Sequence, residues 1–398
     1  MSSLIQEKLT QAAGILDELD IDCWLTFVRE TTETSDPVLP LLLDQPVTWQ
    51  SAFILSRHGD RIAIVGKYDD QAVRAAGDGA WTSVLPYVQS IRSPLLTTLK
   101  RLDPKQIAVN YSMDDVKADG LSHGMLLLLR EYLGETLYAA RLISAADIIR
   151  ALRSRKTPGE VNRIQQAIAI TDEIFAIVAQ QAAIGLTERD ISDLMHAEVD
   201  RRGIATAWQR EQCPIVTTGP HSMLGHGLPS ATLRITPGHI FHLDFGVRVN
   251  EYCSDIQRAW YVPEAGQTKP PSSVQRAFDT IVKAIEAAFA ALKPGVEGWT
   301  VDAAARQVIV DAGYPEYQHA TGHNVGRAAH DGGSVLGPKW ERYGKTPLYR
   351  VEPGNVFTLE LGIDDVDGRG YLGLEEMVLV TDHGCEWMTQ PQQTLPLL

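Results

Sequence analysis

One segment of this chain occurs twice. Residues 237–247 read PGHIFHLDFGV and residues 353–363 read PGNVFTLELGI, 116 positions later, with Pro, Gly, Phe, Leu and Gly identical in register. Upstream of each copy lies a second matched pair, residues 185–203 (GLTERDISDLMHAEVDRRG) and 295–313 (GVEGWTVDAAARQVIVDAG). Both run from glycine to glycine and read as a turn followed by a helix that stops at glycine. Two pairs in the same order imply a duplicated unit of helix, helix and strands. Such a unit can bury its apolar faces as a pseudo-twofold α+β domain, with helices covering a curved antiparallel sheet.

The duplicated strand carries an acid at the same place in each copy, Asp244 and Glu360, among apolar residues. A carboxylate in that setting is costly unless it is paired or bound to metal. Each strand is followed by a turn and a second acid. A turn centred on Val249 and Asn250 places Asp244 opposite Asp255. The Asp367-Gly368 pair, a strong hairpin signal, places Glu360 opposite Glu375. Directly opposed residues have Cβ atoms about 5 Å apart, and like charges so placed repel. Glu375 and Glu376 are adjacent, so periodicity alone does not choose between them, and the hairpin register selects Glu375. Four clustered carboxylates are balanced by two divalent cations, the alternative being protonation with raised pKa values. Mostly oxygen ligands favour manganese, with cobalt, iron and zinc open. The histidine of the set is read as His323, in the glycine-flanked segment TGHNVGRAAH, which also holds His330; His226 stands in a second Gly/Pro-rich segment, TGPHSMLGHGLP. His221, His242 and His319 are assigned structural or solvent roles, and Tyr252 and Cys253 packing.

The 398 residues predict two domains, an N-terminal α/β domain over 1–152 and the duplicated domain over 153–398. In the first, helices are expected over 4–19, 94–102 and 122–133. Strands are expected over 21–28 and 106–110, with a hairpin of 52–55 and 61–65. No catalytic motif stands out there. The basic segment 149–162, with Pro158 and Gly159, marks the boundary, and a long helix follows from Glu160 to about Ala183. The 36 Lys and Arg against 50 Asp and Glu leave a formal charge of −14, which argues against nucleic acid or an anionic membrane as partner. The four cysteines show no metal or disulfide spacing and read as thiols of a reducing cytosol. The first residues lack a secretory pattern, and the cytoplasm is the expected location.

In order, His226, Asp244 with Asp255 eleven residues later, His323 with His330, Glu360 in LELG and Glu375 in LEEMVLVT resemble the motifs of the pita-bread metallopeptidases. That family includes methionine aminopeptidase, aminopeptidase P and prolidase. The resemblance covers residues 155–390, and residues 1–152 resemble the creatinase-type N-terminal domain of aminopeptidase P and prolidase. It implies that Asp255 and Glu375 bridge two metal ions, that Asp244 completes one site, and that His323 with Glu360 complete the other. The implied reaction is two-metal hydrolysis of a peptide bond by an Xaa-Pro dipeptidase or aminopeptidase. Glu360 would shuttle the proton, while His226 and His330 would donate hydrogen bonds to substrate. A small peptide substrate and a homodimer are implied as well. The chain departs from the pattern at Gly373, where prolidase and aminopeptidase P usually carry Arg. Two rival readings stay open: a metal-dependent hydrolase or lyase of a small non-peptide compound, and a binding protein that has lost catalysis.

Overall fold

The computed structural model describes residues 3–225 and 227–398, which fall into two compact units, Met1–Arg153 and Ser154–Leu398. In the first unit β1 (Cys23–Val28), β2 (Ser51–Ser56), β3 (Arg61–Gly66), β4 (Ser83–Tyr87), β5 (Ile107–Val109) and β6 (Leu142–Ser144) form one sheet in the order β4-β3-β2-β1-β5-β6. The β1–β2 and β2–β3 pairs are antiparallel and the outer pairs parallel. Every residue of β1 and β2 is buried, which explains their unbroken apolar runs. Alternate side chains feed two cores. Trp24, Phe53 and Leu55 pack with Leu9 and Leu16 of the helix Leu4–Glu18 on one face. Leu25, Phe27 and Ile54 pack with Leu95 and Leu129 of the helices Arg92–Leu102 and His123–Leu133 on the other.

The second unit opens with the helix Pro158–Gln181, whose first turn is closed by a capping box between Thr157 and Glu160. The duplicated helices are Glu188–Arg202 and Gly298–Asp311, each followed by a glycine at positive φ, Gly203 and Gly313. Strands β7 (Ala205–Thr206), β8 (Ile215–Thr217), β9 (Ile240–Phe245), β10 (Val247–Val249), β11 (Tyr252–Cys253) and β12 (Ile256–Tyr261) belong to the first copy. The second contains β13 (Gly322–His323), β14 (Val335–Leu336), β15 (Val356–Ile363), β16 (Leu372–Val380) and β17 (Cys385–Trp387). The main sheet is antiparallel in the order β15-β16-β12-β9-β8, with β17 also paired to β16. It is thus two hairpins joined through their second strands, the α+β pseudo-twofold arrangement that the repeat predicts.

Two-residue alternation sorts the faces of this sheet. In β15, Phe357, Leu359, Leu361 and Ile363 enter the core with Phe278, Ile281 and Ile285 of the helix Ser272–Ala291. The intervening Thr358, Glu360 and Gly362 face the other way. No helix among the described residues is long and apolar enough to cross a membrane.

Candidate active site

The second hairpin has the register its turn predicts. Asp367 and Gly368 both lie at positive φ, as a type I′ turn requires, and Glu360 is the direct partner of Glu375. The first hairpin does not. Its turn residues are Asn250 and Glu251, at φ 48° and 71°, one position later than expected. Moving the turn by one residue moves the pairing by two, so Asp244 lies opposite Gln257 rather than Asp255. Asp255 keeps the same face, two residues from Gln257 and diagonal to Asp244, within reach across a strand pair.

Gln257 is in turn the partner of Glu375. One rung therefore crosses the sheet as Asp244, Gln257, Glu375, Glu360. Glu376, on the opposite face, is buried against Arg258 in a bidentate pair with distances of 2.9 and 3.1 Å, and accepts from Thr389 and the Gln392 amide. Alternation thus gives the adjacent acids separate surroundings: Glu375 among carboxylates, Glu376 in an ion pair.

His323 reaches the rung from β13. A Cβ on Gly322 would lie 2.0 Å from the Thr358 carbonyl oxygen, so only glycine allows this segment to lie against β15. The Glu360 amide donates to the Thr321 carbonyl at 2.7 Å and the His323 amide to Thr358 Oγ1 at 3.1 Å. His323 Nε2 then stands 3.3 Å from Glu360 Oε1 and 3.7 Å from Asp255 Oδ2. Its Nδ1 lies 3.4 Å from the Asn324 carbonyl, a partner for a proton on Nδ1, so that Nε2 is the nitrogen turned to the acids. The His330 ring packs edge-on against His323 with centroids 4.2 Å apart. His226 lies outside the described residues.

Burial and mutual repulsion govern the electrostatics of the cluster. Burial pushes Asp244 well above the usual carboxylate range, and the charge of Glu360 adds to it. Asp255 is raised by burial and then by Asp244 and Glu360. Glu375 is raised by burial and then by Asp255, Glu360 and Asp244, with only the Gln257 amide acting the other way. Burial also opposes the charge of Glu360, yet the hydrogen bond from His323 and the charges of His323, His319 and His330 prevail and lower it to about 2. Asp244 Oδ1 and both Glu375 carboxylate oxygens are buried with no hydrogen-bond partner among the described residues. Buried carboxylate oxygens are rarely left so in a folded protein. One ligand atom each from Asp255, His323 and Glu375 lie within 4.8 Å of one another, so the donor set fits a divalent metal.

Two residues bear on the site beyond those the sequence singles out. Gln257 accepts from His242 Nε2 at 3.0 Å through its amide oxygen and donates to Glu360 Oε2 at 3.3 Å. His242 is therefore wired into the cluster through Gln257, and burial lowers its pKa to about 4. The signal for Gln257 was Asn250, a residue that tolerates the left-handed conformation of a tight turn.

A model of metallopeptidase family M24 matches residues 162–382, more than half of the chain. The chain belongs to this family. Its members use divalent metals, in keeping with the donor set above. An uncharacterized peptidase of Staphylococcus saprophyticus is 30% identical over 242 residues, 61% of this chain and 64% of that protein. The Xaa-Pro dipeptidase of Pyrococcus furiosus is 29% identical over 250 residues, 63% of this chain and 67% of the relative. The crystal structure of dipeptidase PepE from Mycobacterium ulcerans superposes with a TM-score of 0.76 at 23% identity, covering 99% of this chain and 98% of that one, and so shares the fold. The chain thus spans less than two thirds of the Staphylococcus relative in aligned length.

Proposed function

We propose that this chain is a divalent-metal-dependent peptidase of the Xaa-Pro dipeptidase or aminopeptidase kind, with catalysis in residues 153–398. The observation that carries the reading is the row of buried carboxylates beside His323 Nε2, in which Asp244 Oδ1 and both Glu375 oxygens have no hydrogen-bond partner among the described residues. Asp244, Asp255, His323, Glu360 and Glu375 would hold two ions. Bound there, divalent metal supplies a Lewis acid for a carbonyl oxygen and lowers the pKa of water towards about 7.

The chain's own groups divide the remaining work. Glu360, its Oε2 held by the Gln257 amide, can take a proton from the attacking water and return it to the leaving amine. His330, an exposed residue whose ring packs against His323, would donate a hydrogen bond to the tetrahedral oxyanion, a role in which one donor is typically worth about 10²–10³ in rate. His226 is assigned the same kind of contact from the resemblance of its segment. Gln257 holds one oxygen of Glu360 and the His242 ring, and so fixes the floor of the site. Manganese as the native metal, a homodimer and a cytoplasmic location belong to the same reading.

The test is release of the N-terminal amino acid from Xaa-Pro dipeptides, Xaa-Pro tripeptides and Met-peptides by protein loaded with manganese or cobalt. Cleavage within this panel is expected. Failure to cleave any of them in a sample of demonstrated metal content contradicts the reading.

A further inference from the structure

Gly373 stands where the resemblance leads one to expect arginine, and the structure shows what occupies that place. Gly362 and Gly373 are direct partners across β15 and β16, on the same face as Glu360 and Glu375 and two residues along. A Cβ on Gly362 would lie 2.3 Å from Tyr371 Oη, and one on Gly373 would lie 2.4 Å from it. The half-buried Tyr371 ring thus lies across a floor that only two glycines leave low enough. The His242 ring packs edge-on against it, with centroids 4.7 Å apart, and the Tyr371 hydroxyl stands 3.5 Å from Gln257 Oε1. That bond is at the long limit of its kind, and Gln257 Oε1 already has His242 Nε2 at 3.0 Å. The phenol is therefore oriented by ring packing, and its O–H can be taken up by a better acceptor.

The charges that act on Asp244, Asp255 and Glu375 are one another's and that of Glu360, and those that act on Glu360 come from histidines. An arginine at 373 would have added a fixed cation able to grip a carboxylate in two hydrogen bonds. A phenol offers a neutral donor instead. We propose that the Tyr371 hydroxyl contacts the substrate at this end of the acid row and selects one that carries an uncharged oxygen there, such as a carboxamide or a continuing peptide bond, over one that carries a carboxylate. This rests on the peptidase reading above and deepens it: the substrate class becomes peptides or amides whose carboxyl-terminal side is neutral.

The experiment compares an Xaa-Pro dipeptide with its C-terminal amide, which share the same scissile bond, on metal-loaded wild type and Tyr371→Phe. Wild type is expected to favour the amide by about tenfold or more in kcat/KM. Tyr371→Phe is expected to lose about tenfold on the amide, the worth of one neutral hydrogen bond, with melting temperature and metal content unchanged. Equal or better turnover of the free acid by wild type, or a variant equal to wild type on both, overturns the proposal and leaves the peptidase reading standing. If wild type cleaves neither, the wider peptide panel above tests the peptidase reading, and calorimetric titration of the same two compounds decides this proposal. Tighter binding of the amide that is lost in Tyr371→Phe supports the proposal, while equal binding or none overturns it.

Discussion

Gln257 and Glu375 are direct partners across the seam where the two hairpins of the duplicated domain meet. Each also faces the first acid of its own hairpin, Asp244 and Glu360. The pseudo-twofold therefore relates Gln257 to Glu375, and three acids plus one amide form the rung. A fourth acid at 257 would have placed unrelieved like charges side by side; the amide instead bridges His242 and Glu360.

Gln257→Ala removes that bridge without removing a carboxylate. Partners that orient metal ligands typically contribute about 10–100-fold to affinity or activity. A fall of about that size in kcat/KM is expected, with the melting temperature little changed. Steady-state kinetics on an Xaa-Pro peptide checks it, and unchanged turnover would remove Gln257 from the site.

Adjacent acids should behave in opposite ways. Glu375→Gln is expected to cost metal binding while relieving repulsion in the metal-free protein, so the metal-free melting temperature holds or rises. Glu376→Gln breaks the buried pair with Arg258 and is expected to cost about 3–5 kcal/mol of stability while metal binding survives. Thermal melts and elemental analysis of both variants separate the two roles.

The pH dependence of metal-free stability follows from the carboxylates. Asp244, Asp255 and Glu375 bind their protons more tightly when folded than an ordinary carboxylate does, so the folded state holds more protons than the unfolded one above about pH 4. Their contribution is present at low pH and is lost as pH rises through the raised values. Glu360 works in the opposite sense, but it is one group against three. Chelation is therefore expected to lower the melting temperature more at pH 8 than at pH 5. A chelator effect that is the same at both pH values would contradict this balance.

Gly322→Ala is expected to displace His323 from the acids. The added Cβ meets a backbone oxygen rather than a yielding side chain. A stability loss of about 1–3 kcal/mol should accompany weaker metal binding, read by melting and by metal titration. A variant with wild-type metal affinity would show that the backbone there can give.

The two hairpins were unequally legible for a physical reason. In the second, Asp367-Gly368 announces its own turn, and the register of Glu360 and Glu375 follows from it. In the first, the second turn residue is Glu251, a side chain that gives no sign of a positive φ. Arg248 and Arg327 hold its carboxylate, and the second of these lies 76 residues away, beyond any local pattern. The same limit applies to His242. It reads as a structural histidine because its partner Gln257 becomes visible only once the register is right. The first domain was easier, since β1 and β2 are buried on both faces and carry runs of apolar residues bounded by polar turns.

The measurement closest to the central claim is metal stoichiometry by elemental analysis, after dialysis of wild type and Asp244→Asn against manganese and then metal-free buffer. Wild type is expected to retain about two ions per chain and Asp244→Asn fewer, with peptide cleavage lost in the variant by more than about a hundredfold. Wild-type protein that retains no metal, or an Asp244→Asn variant that retains as much as wild type and turns over as fast, would contradict it.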